Sequence, residues 1–294
     1  MKSQIVLVTG ATSGIGRHAA LALARAGHRV FATGRRKEAL LTLEQEAAGL
    51  RLEAIAMDVT KPASIEEAKR IILERTGGHG VDALVNNAGY GKMGPLEEVT
   101  HEALVAQYET NVFGLMAVTR AFVPAMRERG FGRVVNVSSI GGRVTFPMMG
   151  AYNSTKYAVE SLSDALRLEL RPFGVEVSIV EPGAIKTEFA EVAMGSIEIL
   201  PGSPYAAAAS NADAMKKQFE ATEVGPAVVS RAIQNAIESR RPRARYVAPF
   251  TAAPVIWFMK LFPTRWVDAI LGRASGLTRK NLLPGKVREL SAAA

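Results

Sequence analysis

The sequence of 294 residues contains no cysteine and only four histidines. The absence of thiols excludes disulfide scaffolds, iron–sulfur clusters, cysteine-ligated zinc and cysteine nucleophiles. The histidines are scattered along the chain without metal-ligand spacing, so we expect no metal site. They are His18, His28, His79 and His101.

Long apolar runs are also missing. No window offers 18 or more predominantly apolar residues, which a membrane-spanning helix would need. The first apolar segment ends at Thr9-Gly10 after a few residues, too short for the apolar region of a secretory signal. We therefore expect a cytoplasmic protein.

Charge is distributed unevenly in an otherwise ordinary globular composition, 48% hydrophobic and 22% charged. The net charge is +8, but residues 239–294 alone carry 11 basic and 2 acidic side chains, a net charge of +9. No nucleic-acid recognition motif accompanies this basic tail, so nucleic acid is not an expected partner.

Short β-branched apolar runs alternate with helix-forming segments. Parallel strands need such crossovers, so this order predicts an α/β protein with a doubly wound parallel sheet of six to seven strands and helices on both faces. The predicted strands are 5–8, 29–33, 52–57, 81–86, 133–138 and 175–180, with 246–248 as a candidate seventh. The predicted helices are 15–26, 37–47, 63–75, 101–128, 151–171, 224–239 and 254–272, the last broken at Pro263.

The domain organisation follows from the absence of repeats and low-complexity linkers. We expect one catalytic domain over residues 1–250 and an apolar, basic helical extension over residues 251–294. Within the domain, residues 186–222 combine turn signals such as Pro201-Gly202 with amphipathic pieces. That segment fits a substrate lid, and a surface insertion without a role fits equally well.

A glycine-rich turn follows the first strand, in the order Thr9-Gly10-Ala11-Thr12-Ser13-Gly14-Ile15-Gly16. Glycines permit a tight turn and a close approach of the backbone to a diphosphate, whose charge suits the amino terminus of the next helix. The spacing differs from the common GxGxxG fingerprint. A tight turn without a ligand is the alternative.

The turn resembles the TGxxxGxG cofactor turn of the short-chain dehydrogenase/reductase family. Three more matches follow in the family's order: Asn86-Asn87-Ala88-Gly89, Tyr152 with Lys156, and Pro182-Gly183. The resemblance covers residues 3 to 190 and implies a Rossmann-like fold. Beyond residue 190 there is a looser likeness to the hydroxysteroid and retinol dehydrogenase branch, carried by ATGR at 32–35 and the length of the tail.

Tyr152 and Lys156 lie four residues apart in a predicted helix, hence on one face. A tyrosine pKa near 10 is too high for efficient proton transfer at neutral pH, and a nearby ammonium would favour the phenolate. We therefore predict Tyr152 as the general acid in reduction and the general base in oxidation. An exposed helix face is the ordinary alternative for such a pair.

The resemblance implies two further catalytic residues. Ser139, at the end of a strand, would hold the substrate oxygen, with Ser138 as the fallback because successive strand residues face opposite sides. Asn111 would complete a tetrad with Ser139, Tyr152 and Lys156 by holding a water that relays protons. By itself, an asparagine within a helix is normally a harmless surface residue.

The residues after the second strand predict NADP(H). Arg35 and Arg36 stand where an NAD-binding chain would place a carboxylate, and no acidic residue occurs before Glu38. A guanidinium can bind the 2′-phosphate with paired hydrogen bonds, so we predict Arg35 as the first choice and Arg36 as the second. A basic helix start without a ligand is the alternative.

The family resemblance extends the predicted cofactor site. Asp58 and Val59 would contact adenine, although Asp58 could instead cap the helix that starts near Pro62. The complete predicted set is Gly10, Thr12, Ser13, Gly14, Ile15, Gly16, Arg35, Arg36, Asp58, Val59, Asn87, Ala88, Gly89, Asn111, Tyr152, Lys156, Pro182, Gly183, Ile185 and Thr187.

These residues predict an oxidoreductase that moves a hydride between a nicotinamide and a carbonyl or secondary alcohol. Apolar candidate pocket residues favour a lipophilic substrate, such as a steroid, retinoid or long-chain ketone, although apolar side chains more often belong to the core. They are Val144, Phe146, Met148, Met149 and the stretch from Met194 to Tyr205. A non-catalytic redox sensor or scaffold is the alternative function, and the intact acid–base set argues against it.

Two partner predictions complete the analysis. By resemblance, helices 101–128 and 151–171 would pair copies of the chain into a homodimer or tetramer. The tail combines its positive charge with Trp257, Phe258, Phe262 and Trp266. This mixture fits a peripheral membrane contact, or a basic helix that closes the pocket or packs on a neighbouring subunit.

Overall fold

Seven strands are present in the computed structural model, which describes residues 3–197, 199–206 and 222–283. They are β1 (Ile5–Val8), β2 (Arg29–Gly34), β3 (Leu52–Ala56), β4 (Ala83–Asn86), β5 (Gly132–Val137), β6 (Val175–Pro182) and β7 (Arg245–Ala248). The strands form one parallel sheet in the order β3-β2-β1-β4-β5-β6-β7.

Helices cover both faces of the sheet. They are α1 (Gly14–Arg25), α2 (Lys37–Glu46), α3 (Pro62–Arg75), α4 (His101–Tyr108), α5 (Leu115–Glu128), α6 (Gly150–Leu170), α7 (Glu188–Gly195), α8 (Ala227–Glu238), α9 (Ala253–Leu261), α10 (Thr264–Ala274) and α11 (Arg279–Leu282). Strand β1 is buried on both sides: Val6 and Val8 pack in the layer that contains α1 and α8, and Leu7 packs in the layer with α3 and α5.

The predicted fold class is confirmed. All six predicted strands are present with their ends shifted by no more than two residues, and the candidate seventh becomes β7, parallel to β6. Such agreement is expected for apolar runs of strand length that are rich in β-branched residues and bounded by turn residues, because these features separate strands from buried helices.

The prediction of one continuous helix over 101–128 is wrong in detail. A π-helical segment, Glu109–Gly114, separates α4 from α5. Gly114 packs so closely on Val59 that a Cβ at Gly114 would lie 2.8 Å from Val59 Cγ2. The segment contains Asn111, which is buried. Single π turns within helices are frequent at functional sites because they displace a side chain from the regular spiral.

The expected lid segment, 186–222, is described only in part, since residues 198 and 207–221 lie outside the described residues. Its first part forms α7. Its two ends meet: Lys186 N donates to Val224 O at 2.9 Å, and Val224 N donates to Ala184 O at 3.2 Å. The segment therefore leaves and rejoins the domain at one place, next to the end of β6.

The predicted break at Pro263 is confirmed, since α9 ends at Leu261 and α10 begins at Thr264. Within the described ranges, no helix is both long enough and apolar enough to cross a bilayer.

Candidate active site

A cavity of about 560 Å³ opens at the carboxyl ends of the strands. It lies where the strand order reverses, because β2 and β3 extend from one side of β1 while β4 pairs with the other side. Ligands of open parallel sheets bind at this reversal point. Every predicted catalytic and cofactor residue lines the cavity except Gly16 and Asn111.

The glycine turn is shaped by close packing against the end of β4. Gly10 has φ +65°, and a Cβ there would lie 2.7 Å from the Cα of Ala88. A Cβ at Gly16 would lie 2.3 Å from both Asn87 Nδ2 and Gly10 O. Gly16 is therefore a packing residue, which explains why it does not line the cavity.

Thr9 and Asn87 join the turn to β4. Thr9 Oγ1 accepts hydrogen bonds from the backbone N–H groups of Asn87 and Ala88, each at 3.0 Å. Asn87 Nδ2 donates to Thr9 O at 3.0 Å and to Gly10 O at 3.1 Å. The Asn87 amide nitrogen thus holds the turn itself, a role that the sequence analysis missed.

The geometry of the turn fits a dinucleotide diphosphate. Helix α1 begins at Gly14, and the side chain of its cap residue Ser13 forms no hydrogen bond to the helix N–H groups. These N–H groups and the helix dipole therefore face the cavity beside Thr12. Gly10 and Gly14 line the cavity without a side chain, so the backbone of the turn is open to the close approach that a diphosphate requires.

Arg35 and Arg36 are both exposed at the cavity edge after β2. Arg36 Nη2 lies 3.4 Å from Thr12 O, within hydrogen-bond distance, and 4.0 Å from a carboxylate oxygen of Glu188. Among the described residues, Arg35 forms no hydrogen bond, and its charge acts on Asp58 across the cavity.

Asp58 lines the cavity but does not cap α3, whose cap position is Lys61. Its Oδ1 accepts from Thr60 N at 3.0 Å and from Thr60 Oγ1 at 2.8 Å. Partial burial raises the pKa of Asp58, but these hydrogen bonds and the charge of Arg35 outweigh burial and lower the pKa. The carboxylate therefore stays ionised near the predicted adenine end of the site.

Tyr152 and Lys156 lie together on the cavity wall, both carried by α6. Lys156 Nζ lies 5.7 Å from the centre of the Tyr152 ring and donates to Val137 O at 2.9 Å. Both side chains are buried, so the alternative of an exposed helix face is wrong. The Tyr152 ring also packs on Phe189 of α7, with 5.6 Å between the ring centres.

Burial controls the ionisation of this pair. It raises the pKa of Tyr152 to about 12, against the lowering effect of a hydrogen bond with Ser139. It also lowers the pKa of Lys156 to about 8, against the raising effect of Glu160. In the chain without a cofactor, the pKa of Tyr152 is therefore raised, and not lowered as expected from the neighbouring ammonium. The reason is that burial disfavours the charged phenolate.

The two serines at the end of β5 point to different surroundings. Ser139 Oγ accepts from Gly141 N at 3.0 Å and is the hydrogen-bond partner of Tyr152. Ser138 Oγ is buried, and a Cβ at Gly142 would lie 2.7 Å from it and 3.0 Å from Glu160 Cγ. Ser139, the predicted first choice, is thus the serine beside the tyrosine.

Asn111 is buried behind the cavity wall rather than in it. Its Nδ2 donates to Tyr90 O at 2.9 Å and to Thr155 Oγ1 at 3.1 Å, and its Oδ1 accepts from Tyr90 N at 3.0 Å. A Cβ at Gly89 would lie 3.0 Å from Asn111 Oδ1 and 3.8 Å from Lys156 Nζ. Asn111 therefore ties the loop after β4 to α6, close to the lysine.

The outer part of the cavity is largely apolar. Its lining includes Phe146, Met148, Met149, Val192, Ile197 and Ile199. Of the predicted pocket residues, Val144 is buried in the protein and does not line the cavity. The helix α7 forms part of the roof, and Ser196 Oγ, just after it, donates to Gly91 O at 3.2 Å and accepts from Met93 N at 3.1 Å.

A group of charged side chains near Lys156 is here named the buried charge cluster and consists of Arg143, Glu160, Asp164, Glu181 and Arg245. Glu181 is fully buried; its Oε1 lies 2.8 Å from Arg143 Nη1 and 3.2 Å from Arg245 Nε. Arg245 also pairs with Glu160 at 3.1 Å and with Asp164. Burial and the Glu181 carboxylate raise the pKa of Glu160 to about 6, although Arg245 opposes this.

Comparisons with known proteins identify the family. The family model for short chain dehydrogenases matches residues 4–195. Among curated relatives, the NADPH-dependent 3-dehydrocapnine reductase of Ornithobacterium rhinotracheale is 35% identical over 90% of this chain and 94% of its own. Retinol dehydrogenase 16 of Rattus norvegicus is 35% identical over 92% of this chain and 88% of its own.

Solved structures agree. A short-chain dehydrogenase from Streptomyces avermitilis has a TM-score of 0.76 and 37% identity, covering 95% of this chain and 98% of that one. A short-chain dehydrogenase/reductase from Burkholderia phymatum in complex with NAD has a TM-score of 0.76 and 25% identity, covering 88% and 94%. The chain belongs to the short-chain dehydrogenase family and is an oxidoreductase with a Rossmann-like, nucleotide-binding fold, as the sequence resemblance implied.

Proposed function

We propose that this short-chain dehydrogenase transfers a hydride between NADP(H) and the carbonyl or CH–OH group of a lipophilic substrate. The observation that carries the proposal is the burial of Tyr152 beside Lys156 in the same cavity as the glycine turn. The catalytic domain would comprise residues 1–250, with 186–222 as its lid and 251–294 as an extension.

The proposed roles follow from the contacts around Tyr152. A bound nicotinamide supplies the hydride chemistry. In reduction the carbonyl carbon gains the hydride, and Tyr152 donates its phenolic proton to the carbonyl oxygen, which gives the alcohol. Ser139 holds that oxygen beside Tyr152. The ammonium of Lys156 favours the phenolate that remains, and Asn111 positions the loop at Tyr90 and the helix at Thr155.

The proposed cofactor site extends from the glycine turn to the end of β6. The N–H groups at the start of α1 would hold the diphosphate. Asp58 and Val59 would contact adenine, Asn87 to Gly89 would contact the ribose and nearby backbone, and Pro182 to Thr187 would contact the nicotinamide. A Cβ at Gly14 would lie 3.4 Å from Thr187 Cβ, which supports a continuous wall between the two ends.

The preference for NADP(H) rests on Arg35, with Arg36 as the second candidate. Arg35 is exposed at the cavity edge and forms no hydrogen bond with the described residues, so its guanidinium is available to a 2′-phosphate. Arg36 is already engaged with Thr12. The name of the 3-dehydrocapnine reductase, which states NADPH dependence, is consistent with this choice.

A lipophilic substrate is favoured by the apolar outer cavity, where methionine and isoleucine side chains surround the approach to Tyr152. A steroid, retinoid or long-chain ketone would fit this chemistry. The retinol dehydrogenase among the relatives supports the same class.

The proposal includes a cytoplasmic homodimer or tetramer that pairs through the helices within 101–128 and 151–171. Support comes from apolar side chains that these segments leave exposed: Val105, Phe113, Tyr157 and Leu168. Such residues are suited to bury one another in a helix–helix interface.

Replacement of the phenol tests the mechanism. Tyr152→Phe should reduce turnover of a carbonyl substrate by about 100-fold or more, since it removes the proton donor, while NADPH binding stays nearly unchanged. The loss of reduced-nicotinamide absorbance gives turnover, and fluorescence titration gives binding. Tyr157→Phe, on the exposed side of the same helix, is the matched control. Near-normal turnover in Tyr152→Phe would refute the assignment.

Replacement of the arginine tests the cofactor. Arg35→Ser should weaken NADPH binding by about tenfold to 100-fold, the usual range for a charge-assisted hydrogen bond, and leave NADH binding unchanged. Arg36→Ser, at the neighbouring position, should have the smaller effect. A preference of the unmodified protein for NADH would overturn the NADP(H) proposal without affecting the role of Tyr152.

A further inference from the structure

Helices α9 and α10 expose an apolar surface that the rest of the described chain does not cover. Trp257 and Trp266 are each 64% exposed and Leu261 is 73% exposed, whereas Ala253, Ile256 and Val267 alone are buried in these helices. The C-terminal apolar surface is defined here as Trp257, Phe258, Leu261, Phe262, Trp266 and Ile270. Contiguous apolar groups of this kind mark interaction sites.

The charge around this surface is strongly positive. Residues 253–283 contain five basic side chains and a single acidic one, Asp268. The basic residues are Lys260, Arg265, Arg273, Arg279 and Lys280. A second copy of the chain packed through the same surface would bring these charges against their own equivalents, since a twofold interface places one patch against itself. Like charges so placed weaken association. An anionic partner fits instead.

The types of apolar side chain favour a bilayer as that partner. Tryptophan has an amphipathic ring suited to the boundary between lipid headgroups and acyl chains. Basic side chains beside it gain from the negative potential of an anionic leaflet. Helices that combine these features lie in the plane of the membrane surface without crossing it, in keeping with the modest length of α9 and α10.

The apolar surface is connected to the cavity at both ends. Ser275, the residue after α10, lines the cavity. At the start of α9, Ala252 packs on the cavity residue Gly183, where an added Cβ would lie 3.1 Å from Ala252 Cβ. The two helices therefore leave the domain and return to it beside the cavity, whose outer lining includes Met148 and Ile199.

We propose that α9 and α10 dock the protein on an anionic lipid bilayer, with Trp257 and Trp266 at the headgroup boundary, and that the cavity receives its substrate from the lipid phase. The second part rests on the proposed function, because it requires a lipophilic substrate. The first part depends only on the surface and its charge.

The two tryptophans of the sequence both lie on this surface, so intrinsic fluorescence reports on it without a label. The full-length protein is titrated with vesicles of phosphatidylcholine alone and of phosphatidylcholine with phosphatidylglycerol. We expect a blue shift with the anionic vesicles. Partitioning should be stronger by about tenfold or more than with the neutral vesicles, given the roughly fivefold factor for each basic side chain near such a surface. High salt should largely abolish this preference for anionic vesicles, because it screens the attraction between charges.

Variants separate the surface from the rest of the molecule. The double variant Trp257→Ala, Trp266→Ala should lose co-sedimentation with anionic vesicles, whereas Phe131→Ala, Phe173→Ala, which alters two other exposed aromatics, should retain it. Equal binding to both vesicle types, or no binding, would overturn the proposal. So would a dimer that the tryptophan variant converts to monomers in sedimentation velocity, since a second copy would then cover the surface.

Turnover of a water-soluble carbonyl distinguishes failure of docking from failure of the proposed function. The double tryptophan variant should keep this turnover without vesicles, because neither tryptophan lines the cavity. With a vesicle-dissolved long-chain ketone, it should be slower than the unmodified protein. Equal rates would refute delivery from lipid, whereas inactivity of the unmodified protein toward both carbonyls would instead count against the proposed function.

Discussion

Glu160→Gln offers a quantitative test of the buried charge cluster. Glu160 lies one helical turn after Lys156 on α6 and pairs with Arg245 at 3.1 Å. Glutamine keeps the shape of the side chain and removes its ionisation. The stability of the variant relative to the unmodified protein should therefore depend on pH only through the titration of this carboxyl, together with its effects on the charged neighbours.

The sign of the effect follows from the raised pKa. Burial, with the neighbouring Glu181 carboxylate, raises the pKa of Glu160 from 4.5 to about 6 in the folded protein. The favourable contribution of the neutral carboxyl is fully present below pH 4.5 and is lost as pH rises through 6. That displacement corresponds to about 2 kcal/mol. The variant should gain about this much stability, relative to the unmodified protein, between acidic and neutral pH.

Urea unfolding of both proteins at a series of pH values measures this difference. Asp164→Asn is the matched control, because Asp164 pairs with the same Arg245. Burial raises the pKa of Asp164, but its hydrogen bonds and ion pairs with Arg245 and Arg167 outweigh burial and lower it. Loss of Asp164 should therefore cost stability at neutral pH and not at low pH, the opposite trend. A stability difference for Glu160→Gln that is constant or falls with rising pH would refute the reasoning.

Two further predictions concern the cavity. Gly16→Ala should destabilise the protein by about 1–3 kcal/mol, the usual cost of overpacking, and weaken NADPH binding, because its Cβ would lie 2.3 Å from Asn87 Nδ2. Calorimetry and fluorescence titration measure both, and Gly225→Ala, which has no neighbour within 4 Å of the added Cβ, should change neither. Glu160→Gln should also move the alkaline limb of kcat/KM to lower pH, because a negative charge that raises the pKa of Lys156 is removed. An unmoved limb would contradict that coupling.

The sequence pattern alone predicted those features of the fold and the site that depend on residues close together in the chain. The strands follow from apolar runs, and the choice of Ser139 over Ser138 follows from the spacing in the family that the sequence resembles; alternation along a strand adds only that the two serines face opposite sides. The glycine pattern of the turn is equally visible in the local sequence, since Gly10 adopts a positive φ that other residues rarely take. Its packing on Ala88 is not visible there, because the two residues are far apart in the sequence.

Long-range pairing lay beyond sequence reasoning. Thr9 and Asn87 are 78 residues apart, and their hydrogen bonds depend on the adjacency of β1 and β4. Glu181 occurs within an apolar strand with no local sign of its partners, Arg143 and Arg245. The contact of Phe189 with Tyr152 required the position of α7 over the cavity. In each case the residue type was visible and the partner was not.

The ionisation of Tyr152 shows how burial can reverse an expectation drawn from spacing. The four-residue spacing correctly predicted that the phenol of Tyr152 and the ammonium of Lys156 lie side by side. Burial nevertheless raises the pKa of Tyr152 to about 12 and lowers the pKa of Lys156 to about 8. At neutral pH the chain alone thus keeps Tyr152 protonated. A protonated phenol is ready to donate to a carbonyl oxygen, whereas alcohol oxidation first requires its proton to leave.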